Sequence, residues 1–229
     1  MTGAAGEETR PGDDQLARLR QIVRRIRREC PWDAEQTHRS LTKHLIEEAA
    51  EVVEAIEAGS DDSDIPDADL CEELGDLLLQ VYLQAEIAEQ QGRFALDDVA
   101  RGIGDKLVRR HPWVFAGTDD PDDMMGAWEA AKRAEKQRTS ALDGIPSTLA
   151  ALSRAAKVIA RVRDVHLPVE LVDEPIGADE VGEQILVLVQ RAQASGIDAD
   201  QATRDALRRF EDDVRRVETG PDSGEQGKN

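Results

Sequence analysis

Aromatic residues, cysteines and long apolar runs are scarce in this 229-residue chain, of which 3% is aromatic and 40% is hydrophobic. No stretch approaches the roughly 20 apolar residues that a membrane span needs, so we expect no membrane association. The first twelve residues lack an apolar core, and we therefore expect no export signal. Cys30 and Cys71 form no Cys-x-x-Cys pair, which argues against a zinc site and a disulfide framework. These features predict a protein of the reducing cytoplasm.

Basic residues are also in deficit, because 29 lysines and arginines stand against 48 acidic residues and leave a net charge of −19. Binding to a nucleic-acid backbone needs a basic surface, so this composition argues against a nucleic-acid partner. A small anionic ligand would need either a local basic patch or bridging cations. The search for a functional site therefore turns to local clusters of charge.

Apolar residues recur at helical spacing along most of the chain, which predicts an all-α fold. The length suits one sizeable helical domain or two small ones. Helices are expected at residues 13–29, in the two acidic segments described below, at 98–110, after Pro121 and at 147–163. Asp67 or Asp69 is expected to cap the second acidic helix, and Asp97 the helix after it. Gly92 suits a position just past a helix end.

The clearest internal boundary is the turn sequence Asp143-Gly144-Ile145-Pro146. It predicts four regions: a flexible start at residues 1–12, a main module at 13–145, a second helical module at 146–218 and a disordered tail at 219–229.

The second module has the pattern of an incomplete repeat of the first. Glu180-Val181-Gly182-Glu183 is similar to Glu73-Leu74-Gly75-Asp76, and residues 196–216 follow the pattern of 92–111. No Glu-Glu-x-x-Glu segment precedes Glu180, and Asp212 and Asp213 fall where the first copy has Arg109 and Arg110. We therefore expect a degenerate module that serves as scaffold and has no complete metal site.

Two acidic motifs lie within residues 41–80, each on an apolar-striped segment. The first contains Glu47, Glu48 and Glu51, and the second contains Glu73 and Asp76. Residues three or four apart share a helix face, and the polar break at residues 59–66 lets the two helices fold back so that the acids face each other. Converging carboxylates repel and are costly to remove from water. A hard divalent cation with oxygen ligands relieves this cost; the alternative is a solvated acidic face.

Basic and aromatic residues that suit a nucleotide flank these motifs. Lys106 and Arg110 are four apart on one helix face beside Arg109, where they either bind phosphate oxygens or only match the helix dipole. Trp32, which follows Pro31, either packs in the core or forms a stacking platform for a base. The first helix ends in Arg24, Arg25, Arg27 and Arg28. We expect these arginines to form a solvated face, with contact to an anion as the alternative.

Six motifs in one order identify a family resemblance over residues 19–151. They are Cys30-Pro31-Trp32-Asp33 with Gln36-Thr37, Glu47-Glu48-x-x-Glu51, Glu73-Leu74-Gly75-Asp76-Leu77-Leu78, Gly92-Arg93-Phe94, Asp105-Lys106-Leu107-x-Arg109-Arg110-His111-Pro112-x-Val114-Phe115, and Trp128-Glu129-x-x-Lys132. In these the chain resembles a MazG-type nucleoside triphosphate pyrophosphohydrolase.

The resemblance implies an all-α bundle that forms a homodimer, with helices of both subunits near each site. It also implies Mg²⁺-dependent hydrolysis of a nucleoside triphosphate between the α- and β-phosphates, giving the monophosphate and diphosphate, with Mn²⁺ as the alternative cation. The matching metal ligands are Glu48, Glu51, Glu73 and Asp76. The residues that match substrate-contacting positions are Lys106, Arg109, Arg110, Trp128 and Lys132.

For catalysis, we hypothesise that Glu47 or Glu48 also takes the proton of the attacking water. Trp32 with His38 is expected to meet the base. Because stacking does not discriminate bases, we expect broad specificity or a house-cleaning role on damaged nucleotides. Two alternatives stay open: an enzyme specific for dUTP, dCTP or an alarmone, and a non-catalytic helical interaction module.

Overall fold

The computed structural model describes residues 14–136 and 139–219, and the regular secondary structure in those ranges is entirely helical. The helices are α1 Gln15–Glu29, α2 Pro31–Glu35, α3 Thr42–Glu57, α4 Asp67–Gln90, α5 Leu96–Arg110, α6 Pro112–Phe115, α7 Met124–Lys136, α8 Ala151–Asp164, α9 Ala178–Ala194 and α10 Ala199–Thr219. The prediction of an all-α fold is confirmed. Within these ranges, no helix is long and apolar enough to cross a membrane.

The predicted ends of the chain lie largely outside the described residues. Residues 1–12, expected to be flexible, and all of the expected tail after residue 219 belong to that part. Thr219, which the sequence assigned to the tail, is instead the last residue of α10.

Helices α1 and α4 differ in how their first turns are capped. The Asp14 carboxylate caps α1 by accepting from the amides of Leu16 and Ala17. The predicted cap by Asp67 or Asp69 is wrong, because Pro66 occupies that position and makes no side-chain cap bond. The two aspartates lie in the first turn of α4, where the helix dipole favours negative charge.

The start of α5 differs from the prediction by two residues. Ala95 holds the cap position, and the Asp98 carboxylate reaches back to accept from the Ala95 amide at 2.9 Å. Asp97, the predicted cap, pairs with Arg20 at 2.9 Å instead. Helix α8 likewise begins at Ala151 rather than at residue 147, and Arg154 donates to the carbonyls of Ile145 and Pro146 in the segment before it.

The described chain divides into two compact units between residues 121 and 122. Ile145, within the turn that the sequence marked as a boundary, and Leu142 just before it are buried with Val158 and Val162 in the core of the second unit. The boundary between the two structural units therefore precedes α7. The end of the main module at residue 145 stays a prediction.

In the first unit, α1 and α4 enclose the core. Its buried side chains are Val23, Leu41, Tyr82, Leu83 and Ile87. Helix α3 packs antiparallel along α4, and the turn between them is tight at Gly59. A Cβ at Gly59 would lie 2.7 Å from the Asp64 carboxylate and 2.9 Å from the Ile65 amide. This turn joins the two helices that carry the acidic motifs.

Two of the four arginines at the end of α1 bind other parts of the fold. Arg24 pairs with Glu86 and Glu89 of α4. Arg27 is buried, with 7% of its surface exposed, and donates to the Asp33 and Gln36 carbonyls and the Gln90 side chain. The predicted solvated face is therefore wrong for Arg24 and Arg27, because both side chains bind α4.

The second unit has its own core, formed by α8, α10 and the turns before α8. Its buried apolar residues are Leu142, Ile145, Val158, Val162, Leu207 and Val214. Arg154 and Glu211 form a largely buried ion pair at 2.7 Å. In contrast, α9 has no buried residue, and its apolar residues 186–189 are exposed.

Candidate metal centre and nucleotide site

The antiparallel packing of α3 on α4 brings three of the predicted carboxylates together. Glu48 of α3 and Glu73 and Asp76 of α4 each offer an oxygen atom, and these atoms lie within 4.8 Å of one another. Glu48 and Glu73 are half-buried, whereas Asp76 is exposed. The apolar spacing of both helices determines which faces pack, and the acids border those faces.

The electrostatics of this cluster are unfavourable without a counter-charge. Burial raises the pKa of the Glu48 carboxyl, and a hydrogen bond with Glu51 and the charges of Asp76, Glu51 and Glu73 raise it further. Burial also raises the pKa of Glu73, followed by the charge of Glu51 and then that of Asp76. Glu51 lies outside the group of three by distance, but its charge acts on both half-buried glutamates.

The donor set fits a hard divalent cation. Every candidate ligand atom is a carboxylate oxygen, the donor type that Mg²⁺ and Mn²⁺ prefer in proteins. A cation between α3 and α4 would offset the repulsion that raises the pKa of Glu48 and Glu73. The metal identity stays a prediction.

Gln80 is a site residue that the sequence reasoning missed. It lies one helical turn beyond Asp76, and its Nε2 donates to Glu48 Oε1 over 3.5 Å. Only 5% of its surface is exposed. The available signal was a single polar residue in the apolar run of residues 77–83, at four-residue spacing from a predicted ligand.

Glu47, the other member of the first motif, faces a second missed residue, His44. The His44 Nδ1 lies 2.9 Å from Glu47 Oε2. The His44 ring also meets Trp32 edge-on, with ring centroids 6.3 Å apart. Trp32 is 57% exposed, so it is not core packing, and its aromatic surface is open to a ligand.

His38 is held by side chains from α4 and the following turn. Its Nδ1 contacts Gln84 Oε1 and its Nε2 contacts Arg93, so both ring nitrogens have partners. Gln84 lies one turn beyond Gln80 on α4, which places His38 along the same polar stripe as the acids. A contact between His38 and a base stays a prediction, and it requires this network to open.

The predicted phosphate-binding residues occupy the end of α5, a helix that contacts α4 and α6. Lys106 is half-buried, Arg109 is exposed, and Arg110 is buried with 6% of its surface exposed. Their role toward phosphate stays a prediction.

Trp128 and Lys132 belong to the second unit, on α7. The Lys132 ammonium lies 4.4 Å from the Trp128 ring centroid and 2.7 Å from Glu129 Oε1. The two residues therefore contact each other, and their part in substrate binding stays a prediction.

The first unit belongs to the class of all-helical proteins in which carboxylates from two antiparallel helices converge. Residues 36–115, which include α3, α4 and α5, match the MazG nucleotide pyrophosphohydrolase domain. The chain belongs to this family.

Relatives match well beyond that domain. The nucleoside triphosphate pyrophosphohydrolase of Escherichia coli K12 is 36% identical over 236 residues, which cover 90% of this chain and 88% of that protein. The nucleoside triphosphate pyrophosphohydrolase/pyrophosphatase MazG of Thermotoga maritima is 33% identical, over 82% of this chain and 79% of its own. The uncharacterized protein YabN of Bacillus subtilis is 46% identical over 150 residues, and the match spans 29% of its length.

Proposed function

We propose that this chain is a Mg²⁺-dependent nucleoside triphosphate pyrophosphohydrolase that converts a triphosphate and water into the monophosphate and diphosphate. Membership of the MazG family makes it a hydrolase. The observation that carries the proposal is the convergence of Glu48, Glu73 and Asp76 from two helices. A solvated acidic face would not need half-buried, mutually repelling carboxylates.

In this proposal, Glu48, Glu51, Glu73 and Asp76 hold the cation. A Mg²⁺ ion held by these carboxylates would supply charge neutralisation for the phosphates and would lower the pKa of the attacking water. Glu47 or Glu48 takes the proton of the attacking water. The contact between Glu47 and His44 at 2.9 Å favours Glu47, because Glu48 is committed to the cation cluster.

The remaining predicted residues contact either the phosphates or the base of the substrate. Lys106, Arg109 and Arg110 hold the outgoing diphosphate through charge-assisted hydrogen bonds. The exposed Trp32 ring stacks on the base with His38 nearby, and Trp128 and Lys132 complete the substrate contacts. Stacking on an exposed ring gives little discrimination between bases, so the proposal includes broad specificity and a cytoplasmic house-cleaning role.

A homodimer is part of the proposal, because the first unit exposes apolar side chains on helices that carry site residues. The exposed fraction is 50% for Val53 of α3, 48% for Ile103 and 45% for Leu107 of α5. These positions suit a second copy of the chain, and two-fold assemblies are the commonest oligomers. Helices of both subunits would then lie near each site.

The experiment is a Mg²⁺-dependent assay on a panel of nucleoside triphosphates, including deoxy and oxidised bases, that resolves every phosphate product. We expect monophosphate and diphosphate from wild type and a loss of at least about 100-fold in Glu48→Ala, since charge stabilisation of this kind contributes factors of that size. Asp173→Ala, an exposed carboxylate in the second unit, is the matched control.

The product pattern separates the alternatives. A single strongly preferred substrate would indicate the specific dUTP, dCTP or alarmone enzyme. No turnover by wild type on any nucleotide would contradict the enzyme and favour the interaction module.

A further inference from the structure

Gln80 presents an unusual combination of burial and incomplete hydrogen bonding. With 5% of its surface exposed, it is one of the few buried polar side chains among the described residues. Its Oε1 is buried and accepts no hydrogen bond from the part of the chain that the structure describes. A buried acceptor without a donor lowers stability, and an apolar side chain of the same length would avoid that cost.

The amide of Gln80 has one contact that an apolar side chain would lose. Its Nε2 donates to Glu48 Oε1 at 3.5 Å. Gln80 lies on α4, the helix that also carries Glu73 and Asp76, whereas Glu48 lies on α3. The carboxylates that raise the pKa of Glu48 by their charge are Asp76, Glu51 and Glu73, of which Glu51 also shares a hydrogen bond with it. The N–H of Gln80 is a neutral donor that links one Glu48 oxygen to α4.

Orientation of Glu48 matters because Mg²⁺ demands near-ideal octahedral geometry from its ligands. A carboxylate with one oxygen held by a hydrogen bond presents its other oxygen to the cation in a defined direction. Hydrogen-bond partners of ligands of this kind typically change metal affinity by about 10–100-fold.

We propose that Gln80 is a positioning residue of the metal site, which orients Glu48 through its amide N–H at the expense of a buried, unsatisfied amide oxygen. The proposal rests on the proposed function of the acidic cluster as a divalent-cation site. It implies that Gln80 favours cation binding and disfavours stability of the metal-free fold.

The test compares wild type with Gln80→Met, which keeps length and removes the amide. Leu83→Met is the matched control, because Leu83 is buried in the apolar core one turn further along α4 and is not one of the clustered carboxylates. Direct Mn²⁺ binding without nucleotide is measured by electron paramagnetic resonance of the unbound ion, and metal-free thermal unfolding is recorded in EDTA.

We expect Gln80→Met to bind Mn²⁺ about 10-fold more weakly or worse, with a metal-free melting temperature equal to or above that of wild type. Turnover of Gln80→Met should recover as Mg²⁺ is raised, because the defect lies in cation binding. Leu83→Met should bind Mn²⁺ like wild type.

Unchanged Mn²⁺ affinity in Gln80→Met would overturn the proposal. Weaker binding together with a lower metal-free melting temperature would also overturn it, since that pair of results indicates a packing role. If wild type itself binds no Mn²⁺, the cation site of the proposed function fails and this proposal fails with it. If wild type binds Mn²⁺ but hydrolyses no triphosphate, the role of Gln80 is still decided by the binding data.

Discussion

Glu48 is the residue of the acidic cluster with the most interactions among those that the structure describes. It is half-buried, it receives a hydrogen bond from Gln80, and it lies within 4.8 Å of oxygens from two further acids. Burial and like charges raise its pKa, which means that the folded protein holds a proton on Glu48 more tightly than the unfolded chain does. Ionisation of Glu48 therefore lowers the free energy of unfolding of the metal-free protein.

The sign of this effect gives a pH prediction. Stability from a raised carboxyl pKa is fully present below the unfolded pKa of about 4.3 and is lost as pH rises through the folded pKa. We expect Glu48→Gln in EDTA to melt at a higher temperature than wild type at pH 7, with the difference shrinking toward pH 4.5. Differential scanning calorimetry of both proteins across that range measures it.

The difference in melting temperature between wild type and Glu48→Gln removes the contribution of the other titrating groups, because they are present in both proteins. Glu89 and Asp98, whose pKa values are lowered by hydrogen bonds from Arg24 and from the Ala95 amide respectively, act in the opposite direction in both proteins. Added Mg²⁺ should raise the melting temperature of wild type more than that of Glu48→Gln. A difference that grows toward acid pH would contradict the raised pKa of Glu48.

At the scale of elements, Arg27 joins the segment that carries Trp32 and His38 to the helices around it. Its guanidinium donates to the Asp33 and Gln36 carbonyls and to Gln90 of α4. One buried side chain therefore ties α1, α2 and α4 together. The exposed Trp32 ring depends on this anchoring for its position.

We expect Arg27→Met to lower the free energy of unfolding by about 2–3 kcal/mol, because three hydrogen bonds from a buried, charged donor to partly buried acceptors are lost. Arg28→Met is the control, since Arg28 is exposed on the same helix, and it should change stability by no more than about 0.5 kcal/mol. Urea unfolding followed by circular dichroism measures both. Equal stability of the two variants would show that Arg27 is not a structural anchor.

At the scale of the whole molecule, exposed apolar faces require an explanation. Helix α5 exposes Val99, Ile103 and Leu107, which recur every four residues on one side. Such a stripe normally faces a core. Because α5 also carries the predicted phosphate-binding residues, covering this stripe with a second copy would couple assembly to the site.

We expect wild type to sediment at about twice the chain mass of 25.2 kDa, and Val53→Lys and Ile103→Lys to shift it toward the monomer with loss of turnover. A lysine in the centre of an apolar contact is buried without a partner, which is costly. Val172→Lys is the control, because Val172 is 79% exposed in the second unit. Sedimentation velocity decides the matter, and a monomeric wild type would contradict the homodimer.

The sequence by itself determined the helical class and the faces of the acidic helices. Apolar spacing is a local property, so the helices and the grouping of Glu48 with Glu51 and of Glu73 with Asp76 were readable from residue order. The likeness of six ordered motifs to the MazG family was readable in the same way, and the family match agrees with it.

Contacts between segments that are distant in the sequence became known only from the tertiary structure. The packing of α3 on α4 places Glu48 beside Asp76 and Gln80, and no local pattern encodes the register of that packing. The burial of Arg27 was likewise hidden, because a basic residue at a helix end looks the same whether water or α4 receives its hydrogen bonds. Sequence periodicity identifies which residues share a face, whereas packing decides what each face meets.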